Sequence, residues 1–212
     1  SFRNAVVRHA NRDSLSRSVR KAAPILDWYG TDDRVRGLDY FLHDATLDVP
    51  FDDTEWDEFL SASIARGRLD AADLAEHYHR LQGATYRDMF ANLLDIIADV
   101  RDARDRRWVG FHEAWTLDTY PALVRAFPES RILIAFRDPR GVVNSMLGVK
   151  RIDPAQVAQV LSYVRHWRKY VAVTLQLLSM PLFRGRLHVT AYDLIVTRPR
   201  ETVDAICRAF DV

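Results

Sequence analysis

Two side chains that bind anions well, the guanidinium of Arg137 and the hydroxyl of Ser145, flank a turn in the segment RILIAFRDPRGVVNSML. The apolar run before Arg137 predicts a strand, and Pro139 and Gly141 predict a tight turn into a helix, with Ser145 about one turn into it. Guanidinium groups, hydroxyls and helix N-termini all bind phosphate. We therefore expect a phosphate site where the strand ends. The alternative is an arginine paired with Asp138 and a serine that caps its own turn.

The second half of the chain alternates apolar strand patterns with helical ones, which is typical of a parallel sheet with helices on both faces. The run ILIAF has no polar alternation, so we expect a central strand that is buried on both faces. Ligands of such sheets bind beyond the carboxyl ends of the strands, where Arg137 lies. The predicted strands are RWVGFHEAW, SRILIAF and GRLHVTAYDL. The predicted helices are TLDTYPALVRAFP, a helix that begins with GVVNSML, residues 154–178 and RPRETVDAICRAF.

The first half of the chain has mainly helical patterns. They cover residues 54–100, with breaks near Gly67 and Gly83, whereas the segment GLDYFLHDA resembles a short strand. We interpret residues 1–212 as a single domain of the α/β class, with three layers and a parallel central sheet flanked by helices. Residues 54–100 would form a helical cap or insertion on that core.

The composition excludes several classes of partner. A formal charge of +1 gives no global field for nucleic acid, and no apolar run reaches the roughly 20 residues that a membrane span requires. The single cysteine, Cys207, fits a reducing compartment, so we expect a cytoplasmic protein. His77 and His79 point apart at helical spacing, and no other cluster has the spacing of metal ligands, so we expect no metal.

Three segments, in order, resemble one enzyme family. RDPRGVVNS, with Arg137 and Ser145, is similar to the segment that binds the 3′-phosphate in sulfotransferases using 3′-phosphoadenosine 5′-phosphosulfate (PAPS). Upstream, WVGFHEAW and a helix ending in Phe-Pro resemble the family's preceding strand and helix. Downstream, the strand ending at Tyr192 resembles the family's Tyr-Glu-Asp-Leu motif, although Asp193 follows Tyr192 directly and the glutamate is absent. The resemblance covers about Trp108 to Val212.

This resemblance implies a P-loop-like sulfotransferase fold of bacterial type. PAPS would be the co-substrate, adenosine 3′,5′-bisphosphate (PAP) the product, and a small molecule or glycan the acceptor, without a metal. Arg137, Ser145 and Tyr192 would bind the nucleotide, unless Tyr192 is an ordinary half-buried tyrosine of its strand. The family's loop for the 5′-phosphosulfate is not found in the chain, and we expect it just before Ser1. Ser1 would then be its last hydroxyl and Phe2 a stacking surface for adenine, unless Phe2 belongs to an ordinary amphipathic helix.

The resemblance also suggests a catalytic base. His112 falls on the central His or Lys of the family's strand, and an imidazole has the basicity to accept a hydroxyl proton. Glu113 is the neighbouring candidate, but successive strand residues point to opposite faces, so only one of the two could reach the acceptor. Asp39 is the alternative, because some members use an acid from an earlier strand.

Two other functions fit part of the pattern. A sulfotransferase-like module without turnover would keep the nucleotide site for binding or scaffolding. A nucleoside or sugar kinase on the same P-loop-like fold would need Mg²⁺ ligands, which have no clear place in the sequence. The sequence carries no signal for the oligomeric state.

Overall fold

The computed structural model describes residues 40–51, 76–112, 117–150 and 157–212. Within these ranges the chain forms two compact units. The first unit contains residues 45–51 and 76–112, and the second unit contains residues 40–44, 117–150 and 157–212.

The first unit is organised around helix α1 (Tyr86–Val100), which follows a short 3-10 helix (Tyr78–Arg80). Thr85 caps α1, because its hydroxyl accepts a hydrogen bond from the Asp88 amide while the Asp88 carboxylate accepts one from the Thr85 amide. This reciprocal pair satisfies two amide groups near the start of the helix. The sequence Thr-Tyr-Arg-Asp therefore determines where α1 begins.

The carboxylate of Asp99 joins the end of α1 to the segments on either side of it. It accepts hydrogen bonds from Arg104, whose Nε lies 2.6 Å away, and from Arg80 of the 3-10 helix. These two guanidinium groups hold the pKa of Asp99 far below its usual range. The first unit is therefore tied together by a charge network as well as by apolar packing.

Two predicted strands are absent from the part of the chain that the structure describes. Residues 107–112 of RWVGFHEAW have no regular structure, and Phe111 packs edge-on against Phe90 of α1 with the ring centroids 5.0 Å apart. In GLDYFLHDA, Tyr40–Asp44 form a π-helical turn. Consecutive Phe41 and Leu42 are both buried in this helical turn.

The second unit contains a parallel two-stranded sheet in a β–α–α–β arrangement. The strands pair in register from Ile132 opposite Leu187 to Phe136 opposite Ala191. Parallel neighbours need a long crossover, which two helices provide. In chain order the elements are a 3-10 helix (Leu117–Thr119), α2 (Tyr120–Ala126), β1 (Ile132–Phe136), α3 (Pro139–Lys150), α4 (Val157–Ser179), a 3-10 helix (Pro181–Phe183), β2 (Leu187–Ala191), α5 (Tyr192–Thr197) and α6 (Pro199–Phe210). The predicted α/β class, with a parallel sheet flanked by helices, is confirmed.

One face of the sheet forms the main core of the second unit. Ile132 and Ile134 of β1 pack in this core with α2 and α4, which contribute the buried side chains of Val124, Val173 and Leu177. β1 and β2 pair residue by residue, so Leu187 and Val189 face the same way and pack against this core. The alternate residues of ILIAF therefore behave as a half-buried strand requires.

The opposite face of the sheet is covered over β2 but exposed over β1. On β2, Thr190 is buried, and the His188 ring meets Phe210 of α6. On β1, Leu133 is 43% exposed. The prediction that β1 is buried on both faces is therefore wrong for the described residues, because α6 packs against β2 while Leu133 remains open to solvent.

Helix α4 is 23 residues long and uses one side for the core. Val173, Thr174 and Leu177 are buried, whereas Leu175 and Leu178 are more than half exposed. Neither α4 nor any other helix among the described residues is long and apolar enough to cross a membrane.

Neighbouring leucines of α4 test this packing. We expect Leu177→Ala to lower the free energy of unfolding by about 2–5 kcal/mol, because it removes a fully buried side chain and leaves a cavity. The matched change Leu178→Ala, at a side chain that is 51% exposed, should cost less than about 0.5 kcal/mol. Urea unfolding measures both values, and equal losses would contradict the orientation of α4.

Candidate functional site

Arg137 is the first residue after β1, and two neighbours hold its guanidinium. The Arg137 Cζ lies 5.0 Å from the ring centroid of Tyr192, the first residue after β2. On the other side, a Cβ placed at Gly141 would lie 3.1 Å from the Arg137 Nε, closer than an ordinary contact. The side chain is therefore held between the first turn of α3 and an aromatic ring at the neighbouring strand end. Gly141 allows this close approach because it has no side chain.

Asp138 does not pair with Arg137. Its carboxylate accepts hydrogen bonds from the Arg140 amide at 2.8 Å and from the Arg140 guanidinium at 3.0 Å and 2.8 Å. The bonds from the Arg140 guanidinium and from the Arg140 amide lower the pKa of Asp138 to about 2. Among the described residues no carboxylate lies within ion-pair distance of Arg137. The alternative of an Arg137–Asp138 pair is therefore wrong, and the charge of Arg137 is available for a ligand.

Asp138 caps the N-terminus of α3. The Arg140 amide bonds to the Asp138 carboxylate at 2.8 Å, and the Val142 amide bonds to the Asp138 carbonyl at 3.0 Å. Pro139 has no amide hydrogen to offer. The Arg140 and Val142 amides are therefore already bonded to Asp138, and binding of an anion by this helix N-terminus stays a prediction.

Ser145 lies farther into α3 than the sequence predicted. The helix begins at Pro139, which places Ser145 nearly two turns after its start. Ser145 is exposed and follows Gly141 by four residues, so the two share one face of the helix, with roughly 6 Å between such positions. Since Arg137 rests against Gly141, the Ser145 hydroxyl lies one turn farther along that same face.

An open pocket of about 560 Å³ adjoins the strand ends. Its walls include Phe136 and Ala191, the residues that precede Arg137 and Tyr192, and the side chains of Leu194 and Ala205. The volume is in the range of small-molecule sites, which are mostly apolar with a few polar groups. The pocket therefore offers apolar surface close to the strand ends, and the charged side chains of Arg198 and Glu201 also line it.

The other predicted site residues lie in the first unit or outside the described residues. His112 is exposed and belongs to the irregular end of the first unit. Residues 107–112 do not form a strand. The alternation of strand faces therefore does not decide between His112 and Glu113. Glu113, Asp39, Ser1 and Phe2 lie outside the described residues.

The structure adds one contact that the sequence did not suggest. Tyr163, Trp167 and Tyr170 follow helical spacing, which predicts a packing stripe. Tyr170 does pack edge-on against Phe136, with ring centroids 5.4 Å apart. Trp167 also donates its indole N–H to the carbonyl oxygen of Arg137 at 3.0 Å. The only sequence signal for this bond is that a half-buried tryptophan usually finds an acceptor.

Within the described ranges, no group of three or more His, Cys, Asp or Glu side chains is placed to hold a metal ion.

Comparison with known proteins shows the family to which the chain belongs. A family model described as "Sulfotransferase family" matches residues 8–212, almost the entire chain. The chain therefore belongs to the sulfotransferase family, whose members transfer sulfuryl groups. No curated protein and no solved structure is significantly similar to it. The family resemblance and the fold class inferred from the sequence are both confirmed.

The pairing of Asp138 can be tested by titration. Its pKa is about 2 in the folded protein, against about 3.9 for an ordinary aspartate, so its cap should stabilise the protein fully above pH 4 and weaken as the pH falls toward 2. We expect Arg140→Ala to raise this pKa toward the ordinary value, as measured by carbon-detected NMR of the carboxyl group. Arg200→Ala, at an exposed arginine of α6, is the control. A pKa that does not respond to Arg140→Ala would show that the pair does not form.

Proposed function

We propose that this sulfotransferase moves the sulfuryl group of PAPS to a hydroxyl or amine of a small molecule or glycan and releases PAP. The observation that carries the proposal is the guanidinium of Arg137. It lies beyond the carboxyl end of β1, against Gly141 and the Tyr192 ring, with no carboxylate partner in the described structure. It also stands at the position that the family resemblance assigns to the 3′-phosphate.

The proposed ligand matches the groups around Arg137. A 3′-phosphate offers the oxygens that a guanidinium fork and a hydroxyl can bind together, and Arg137 and Ser145 share one side of α3. The Tyr192 ring and the adjoining pocket provide apolar surface for the nucleoside. Recognition of the 3′-phosphate would separate PAPS from the abundant adenosine nucleotides that lack it.

The reaction requires positioning and proton removal. The acceptor oxygen or nitrogen attacks sulfur, the bond from sulfur to the bridging phosphate oxygen breaks in line, and the electron pair leaves with PAP. The acceptor loses its proton to a base, for which we propose His112, with Asp39 and Glu113 as alternatives. Holding the donor in line supplies much of the rate enhancement in such transfers. Arg137 and Ser145 would contribute by fixing the nucleotide.

Nucleotide binding tests the role of Arg137. Charge-assisted hydrogen bonds contribute on the order of 1.5–3 kcal/mol each, so we expect Arg137→Ala to weaken PAP binding roughly 10- to 100-fold. Affinity for 5′-AMP should hardly change, because it lacks the 3′-phosphate. Arg137→Lys, which keeps the charge but loses the planar fork, should give an intermediate loss.

Calorimetry measures these affinities, and Arg208→Ala, at an exposed arginine of α6, is the matched control. Equal affinity of the wild-type protein for PAP and 5′-AMP would contradict the proposed 3′-phosphate site.

Turnover tests the role of His112. If it is the base, His112→Ala should lower sulfuryl transfer by roughly 10²–10⁴-fold while the affinity for PAP stays nearly constant. His79→Ala, at an exposed histidine of the same unit, should leave both unchanged. Retained turnover would assign the base to Asp39 or Glu113, to be replaced singly. A wild-type protein that binds PAP but transfers no sulfuryl group would instead be the binding module without turnover.

A further inference from the structure

The carbonyl group of Arg137 lies between the last residue pair of the β1–β2 ladder and the first backbone hydrogen bond of α3. The ladder of β1 and β2 ends at the pair Phe136 and Ala191, one residue before Arg137. On the other side, the Val142 amide bonds to the carbonyl of Asp138, one residue after Arg137. The indole N–H of Trp167 donates to the Arg137 carbonyl at 3.0 Å. A side chain of α4 thus provides the hydrogen bond that neither the sheet nor α3 supplies.

α4 is anchored where it makes this contact. Tyr170, about one turn after Trp167, packs edge-on against Phe136, so successive residues at the end of β1 meet successive turns of one helix. Between them, Lys169 forms an ion pair with the buried Asp118 at 3.6 Å. The indole is therefore presented from a helix that an aromatic contact and an ion pair hold in place.

We propose that Trp167 is a positioning residue for Arg137, an inference that rests on the proposed nucleotide site. The orientation of the Arg137 carbonyl depends on the ψ angle of that residue. A bond that fixes the carbonyl therefore limits how the backbone can turn between the strand and α3. It keeps the Arg137 side chain against Gly141 and Tyr192, in the direction of the 3′-phosphate. Nucleotide binding then costs less conformational entropy, because the guanidinium is already in place.

Trp167→Phe tests this proposal, because it keeps an aromatic ring and removes the N–H donor. We expect affinity for PAP to fall about three- to tenfold, as for loss of one ordinary hydrogen bond, while affinity for 5′-AMP stays constant. The ratio of the two affinities is the deciding value. A role in packing alone would leave this ratio unchanged. Tyr163→Phe, one turn earlier on α4, is the matched control.

A double-mutant cycle gives the second readout. With Arg137 already replaced by Ala, Trp167→Phe should have no further effect on PAP affinity, because the indole acts through that arginine. If Trp167→Phe does not fold, as judged by thermal unfolding, benzothienylalanine at position 167 keeps the bicyclic ring and replaces only the N–H by sulfur.

The outcomes separate the two proposals. If the wild-type protein prefers PAP over 5′-AMP and removal of the indole donor leaves this preference unchanged, the role of Trp167 is overturned and the nucleotide site stays intact. An equal and additive loss in the presence and absence of Arg137 would also overturn it. A wild-type protein without the preference would overturn the nucleotide site and the role of Trp167 together.

Discussion

The pairing of Asp138 with Arg140 is the interaction on which the proposed site depends. A carboxylate next to Arg137 could neutralise it, but this one caps α3 and binds the guanidinium two residues later. The cap starts the helix at Pro139, which brings Gly141 to the position where Arg137 can lie against it. One aspartate therefore both begins the helix and leaves the strand-end arginine its charge.

The parallel sheet brings the remaining groups to that arginine. β1 and β2 pair in register and end together, so Arg137 and Tyr192 emerge side by side although 55 positions separate them in the chain. The core beneath the sheet is built from α2 and α4, and α4 also reaches the Arg137 carbonyl through Trp167. The core and the proposed ligand site thus share the same helix.

The sequence was sufficient to predict what depends on periodicity and chain direction. An apolar run followed by Arg-Asp-Pro-Arg places Arg137 at a strand end, and parallel strands place Tyr192 at the same edge. The hydrogen-bonding partners of polar side chains were less predictable from the sequence. Asp138 could have bonded to either flanking arginine, and the choice of Arg140 depends on local backbone geometry. The indole hydrogen bond of Trp167 depends on how α4 packs. The spacing of residues along one helix carries no information about that packing.

Two predictions were wrong for a similar reason: the strand over residues 107–112 and the burial of β1 on both faces. Residues 107–112 have the apolar and aromatic residues of a strand, but a strand also requires a hydrogen-bonding neighbour, and Phe111 packs locally on Phe90 instead. The run ILIAF has apolar residues at every position, yet burial is decided by the elements that cover each face, and Leu133 remains exposed. Apolar character alone does not specify which neighbour will cover a side chain.

A crystal structure of the protein with PAP would test the central claim most directly. It should show the 3′-phosphate within hydrogen-bonding distance of the Arg137 guanidinium and the Ser145 hydroxyl, with the Asp138–Arg140 pair retained. A 3′-phosphate bound away from Arg137, or an Arg137 that has turned to pair with Asp138, would contradict it.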